Sequence, residues 1–110
     1  MARTICGFVY GSKEICNKVE KDSIDMVLSE KGANAAYSSI VVSGQKNPFE
    51  YALIEFPDGG CLFEKHPSEF QLRMTLHFVG SEKLHEDKYS LAERLLKYWK
   101  DNDVRIGRNR

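Results

Sequence analysis

The chain has 110 residues, with 16 lysines and arginines against 16 aspartates and glutamates and 42% apolar residues. That suits one domain spanning 1–110 that buries its own core without metals or disulfides, and balanced charge gives no global field favouring nucleic acid or an anionic membrane. No apolar run is long enough to span a bilayer, and the opening Met1–Tyr10 lacks the core of a signal peptide, so the expected location is cytoplasmic.

In chain order, Thr4–Tyr10 reads as a strand. Gly11-Ser12 then leads into Glu14–Val19, which is either the second arm of a hairpin or the start of a helix running to Lys31. Asp22 or Ser23 can cap a short N-terminal helix in which Ile24, Val27 and Leu28 share a stripe and Gly32 ends it. Tyr37–Val42 is a β-branched run and reads as a strand, followed by a loop over Ser43–Pro48.

Phe49–Val79 reads as an antiparallel meander. Phe49–Phe56 precedes Pro57-Asp58-Gly59-Gly60, in which Asp58-Gly59 suits a type I′ turn flanked by Pro57 and Gly60. That register sets Phe56 opposite Cys61, Ile54 opposite Phe63 and Ala52 opposite Lys65 on one apolar face. Glu55 beside Leu62, Leu53 beside Glu64 and Tyr51 beside His66 share the other.

A reversal at His66-Pro67-Ser68-Glu69 opens the cleanest alternation in the chain. Phe70, Leu72, Met74, Leu76 and Phe78 fall on one side, and Gln71, Arg73, Thr75 and His77 on the other. Pairing His66 with Glu69 keeps the apolar faces of both hairpins on one side of the sheet. A slip of one residue would send every apolar side chain the wrong way.

From Tyr89 to Trp99, a wheel of 100° per residue gathers Tyr89, Leu91, Ala92, Leu95, Leu96, Tyr98 and Trp99 opposite Ser90, Glu93, Arg94, Lys97 and Lys100. Ser90 with Glu93 fits a capping box, while Ser81 or Asp87 would cap an earlier start. The stripe's expected partner is the face carrying Ile54, Phe56, Phe63, Leu72 and Met74, each buried side chain contributing about 1.5–3 kcal/mol. Residues 104–110 read as a flexible basic tail ending in three arginines, a possible phosphate contact without aromatic residues to stack on bases.

No spacing matches a metal, nucleotide or nucleophile motif. The three cysteines, Cys6, Cys16 and Cys61, are odd in number and widely separated, which argues against a disulfide framework. Cys61 and His66 have opposite parity in one strand, which argues against a shared zinc site, and no cofactor is expected. Asp58-Gly59-Gly60 joins two strands, whereas a phosphate-cradling loop leads from a strand into a helix.

The expected fold class is therefore α+β: an antiparallel sheet of three or more strands, packed on one face by a C-terminal amphipathic helix, with a short N-terminal helix. The polar face of the meander gathers carboxylates, an arginine and histidines around Leu53, Leu62 and Val79, the texture of a protein-binding surface with an apolar centre and polar rim. Tyr51, Glu55, Glu64, Arg73 and His77 are the expected contacts with another protein, in a binding domain of inhibitor, immunity, adaptor or subunit type. The alternatives are a small enzyme or ligand-binding domain using the same face for acid–base work, and nucleic-acid binding through the basic tail. The N-terminal elements are another candidate cover for that face.

Overall fold

In a computed structural model, which describes residues 2–40, 49–57, 59–66, 70–79 and 82–108, the elements run β1 (Ala2–Tyr10), α1 (Lys13–Leu28), β2 (Asn34–Ile40), β3 (Phe49–Phe56), β4 (Gly59–Lys65), β5 (Gln71–Val79), α2 (Glu82–Asp101) and β6 (Arg105–Arg108). The strands form one antiparallel sheet in the order β2-β3-β4-β5-β1-β6. The α+β class, the antiparallel sheet and both helices stand as the alternation and the wheel require. Val41 and Val42 of the expected Tyr37–Val42 strand, the Ser43–Pro48 loop, Asp58, the Pro67-Ser68-Glu69 turn, Ser81, Asn109 and Arg110 lie outside the described residues, as do the side chains of Phe78, Val79, Tyr89, Ser90 and His85.

One face of the sheet carries the core. Ile54, Phe56, Cys61, Phe63, Leu72, Met74 and Leu76 are buried against Leu91, Ala92, Leu95 and Trp99 of α2 and against Cys16, Val19 and Val27 of α1. The wheel of α2 holds where side chains are described: Leu96 and Tyr98 pack at the margin of the core, and Glu93, Arg94, Lys97 and Lys100 are exposed. Packing a two-helix layer on one sheet face in this way removes the side chains of this core from water.

Both meander registers keep the expected parity and differ from the expected alignment by two residues. Ile54 pairs with Cys61 and Ala52 with Phe63, while Phe56 pairs with Gly59, so Pro57 and Asp58 make the connection. Proline's fixed φ suits the first central position of a type I or II turn and cannot supply the positive φ of type I′. In the next hairpin Phe63 pairs with Met74 and Cys61 with Leu76.

The N-terminal helix begins earlier than the Asp22 and Ser23 caps imply, as the longer of the two open readings of 14–31 allowed. Ser12 is the cap, its side chain accepting from the Ile15 amide at 3.2 Å. Ser23 is instead fully buried, its hydroxyl taking the indole N–H of Trp99 at 3.0 Å. The buried stripe is Cys16, Val19, Ser23 and Val27, with Ile24 partly buried and Leu28 38% exposed. The helix ends at Leu28, and Gly32 takes φ +78° in the turn beyond.

The second strand starts at Asn34, three residues before the expected Tyr37. The second helix starts at Glu82, which places Asp87 and Ser90 inside it, where neither can cap an N-terminus.

The expected flexible tail at 104–110 is corrected over its described residues, 104–108. Asp103 takes φ +58°, the Val104 amide donates to the Trp99 carbonyl at 2.8 Å and the Asp103 amide to that of Lys100 at 3.4 Å. This is a Schellman turn with a buried Val104 as its apolar contact. It redirects the chain so that Arg105–Arg108 pairs with Phe8–Ile5 as an edge strand.

Candidate binding face

On the face away from the helices, the strand registers set out three successive central rows. One row runs Ser38, Tyr51, Glu64, Arg73, Phe8 and Arg105 across the six strands. The next runs Ala36, Leu53, Leu62, Thr75, Cys6 and Gly107. The third runs Asn34, Glu55, Gly60, His77 and Thr4. A weakly polar strip thus lies between two polar rows, because alternation sends every second residue to this face and the registers align like with like.

All five expected contact residues stand on this face, in the two outer rows. Tyr51, Glu64 and Arg73 are consecutive neighbours across β3, β4 and β5. Arg73 Nε lies 3.6 Å from Glu64 Oε1, their side chains 51% and 29% exposed, and the guanidinium stands 6.0 Å from the ring centroid of Phe8. An exposed pair of this kind contributes under about 1 kcal/mol, so its value to folding is small. Glu55 and His77 are both exposed and are separated by Gly60, which has no side chain to fill the space between them. A Cβ on Gly60 would meet the Ile54 carbonyl oxygen at 2.9 Å, so the gap is kept by backbone.

The middle strip is half-buried at Leu53, Leu62 and Thr75, and Cys6 is 3% exposed with its thiol 3.9 Å from Thr75 Oγ1. Among the described residues, shallow depressions on this face include two over its centre. One of about 250 Å³ lies beside Arg73 and is walled by Phe8, Tyr10, Glu64 and Gln71. The other, about 330 Å³, lies over Leu53 and Leu62 between Tyr51 and Ala36. Both open to solvent rather than enclosing a ligand, unlike a small-molecule site that buries most of its occupant.

Alpha-helix α1 packs with α2 on the opposite side, so among the described residues the N-terminal elements do not cover this face. What β1 adds is Phe8, inserted beside Arg73. The alternation of Thr4, Cys6, Phe8 and Tyr10 with Ile5, Gly7 and Val9 is the signal that would have placed it in the sheet.

Elsewhere, Cys61 is fully buried in the core while His77 is exposed on the opposite face, and among the described residues no three metal-binding side chains converge. Lys65, on the helix side of β4, is 3.0 Å from Glu20 and 3.3 Å from Glu50, tying α1 to β3 at the rim of the core.

No protein-family model matches the chain, and no curated protein matches it. Among solved structures, the chain is similar to the adenosylmethionine decarboxylase of Aquifex aeolicus, with a TM-score of 0.58 and 11% identity over 99% of this chain and 87% of that one. At that identity the likeness is one of architecture. It gives independent support to the α+β sheet-and-helix arrangement and carries no side-chain role across.

Proposed function

We propose that this chain is a small cytoplasmic protein-binding domain, of inhibitor, immunity, adaptor or subunit type, that docks its partner on the open sheet face. The observation that carries the reading is the row pattern: a half-buried strip of Leu53, Leu62 and Thr75 flanked by Tyr51, Glu64 and Arg73 on one side and by Glu55 and His77 on the other. Docked interfaces combine an apolar centre with a polar rim, and aromatic and arginine side chains supply most of their affinity. Tyr51 and Arg73 are the anchors in this reading, and the carboxylates fix the partner's orientation. The partner surface would present its own apolar strip between basic and acidic groups.

The test is affinity capture from the native host with wild-type protein and with the double variant Glu64→Ala/Arg73→Ala, followed by mass spectrometry. A protein captured by the wild type and lost with the variant, at unchanged melting temperature, supports the reading. Equal capture by both proteins removes the face from consideration, and a variant that no longer folds would make these residues structural.

A further inference from the structure

The two ends of the sheet are built differently. Edge strand β6 is four residues long and has an arginine at each end, Arg105 and Arg108. Shortness and charge are the usual protections against a second chain adding to an edge. At the other end, β2 is seven residues, Asn34-Ala35-Ala36-Tyr37-Ser38-Ser39-Ile40, with no charge, no proline and no glycine. Asn34 to Ser38 are all exposed. Tyr37, which the pairing with Ala52 places on the helix side of the sheet, is 67% exposed among the described residues.

The sequence of this edge is suited to itself. With a twofold axis through Tyr37, antiparallel pairing sets Tyr37 opposite Tyr37 of a second copy, Ala36 opposite Ser38, Ala35 opposite Ser39 and Asn34 opposite Ile40. No like charges face each other, and the two aromatic rings meet as a cross-strand pair. This register also keeps side-chain parity, so the helices of both copies lie on one side of a shared sheet and the two open faces join into one.

We propose that the outer edge of β2 pairs antiparallel with the same edge of a second copy of this chain, centred on Tyr37, to make one sheet running through both molecules. The inference rests on the edge and not on the open-face reading. An isologous contact of this kind closes on itself, leaving the protected β6 edges at the two ends.

Sedimentation of the full chain over a wide concentration range tests it, with Tyr37→Lys and Tyr37→Glu as variants. The wild type is expected to be a dimer. Each variant sets like charges directly opposite each other and weakens the dimer by about tenfold or more, while an equimolar mixture of the two restores it. Arg73→Ala leaves the dimer unchanged. A wild type that stays monomeric, a dimer indifferent to Tyr37, a mixture that fails to recover, or a dimer lost with Arg73→Ala would each overturn the proposal. Both Tyr37 variants keep the near-ultraviolet signal of buried Trp99; losing it would show that Tyr37 is held within the fold, and would also overturn the free edge.

Discussion

The indole of Trp99 lies so close to the backbone of Gly7 that a Cβ on residue 7 would stand 2.9 Å from its Cε3 atom. Trp99 is fully buried and donates its N–H to Ser23, so β1, α1 and α2 meet on this one side chain. The Trp99 ring can approach the β1 backbone this closely because residue 7 has no side chain to project.

It follows that Gly7→Ala overpacks the core, with an expected loss of about 1–3 kcal/mol. Chemical denaturation gives the measurement, and Gly107→Ala is the control: its added Cβ would sit 3.6 Å from Phe8, an ordinary contact. Equal stability of the two variants would mean that Trp99 does not press on residue 7.

Stability should fall in alkali through two groups at the margin of the core. Burial, then the hydrogen bond to Asp22 and its negative charge, hold the Tyr98 hydroxyl above the ordinary tyrosine range. Burial pulls the Lys65 ammonium down, but hydrogen bonds to Glu20 and Glu50 and their charges outweigh it, and the net shift is upward. Each group binds its proton more tightly in the folded chain, so its contribution is complete below the ordinary values near pH 10 and is lost as pH rises above them. Urea midpoints should therefore drop above about pH 10. In Tyr98→Phe the drop should be shallower, with the Lys65 part remaining; an identical slope in both proteins would count against the Tyr98–Asp22 contact.

The thiols should be silent in the native protein. Cys6 is 3% exposed, and Cys16 and Cys61 are fully buried. Burial pushes the Cys61 thiol up, with a smaller contribution from Cys6. It also raises Cys16, against the charge of Lys65 and together with that of Glu20. The reactive thiolate is thus both scarce and shielded at these two sites. A disulfide reagent at mildly alkaline pH should titrate all three cysteines in denaturant and show no rapid phase before unfolding. A rapid native equivalent would place one sulfur at the surface.

How much was legible in the chain varies with the range of the forces involved. Alternation in Gln71–Val79 and Phe49–Phe56 was readable because side-chain direction in a strand is a property of neighbouring residues. The two-residue offset in both hairpins was not. Pro57-Asp58 and Asp58-Gly59 are each plausible turn centres locally, and only pairing along the whole of β3 and β4, with Phe56 against Gly59, chooses between them. Arg105–Arg108 reads as a polar end because its partner, Phe8–Ile5, is distant in sequence. The same holds for Ser23, whose reason for being buried is Trp99 of the other helix.

By itself, then, the sequence determined the class of the meander strands and of the C-terminal helix and which meander side chains share a face, since periods of 2 and 3.6 follow from backbone geometry, while it left Glu14–Val19 open between strand and helix. It placed Tyr51, Glu55, Glu64, Arg73 and His77 together on that basis. Only the tertiary structure decided that Phe8 stands beside Arg73, that α1 joins α2 on the far side, and that the chain returns through Val104 to close the sheet with β6. Those outcomes depend on which surfaces bury one another across the folded chain, and no local pattern carries that information.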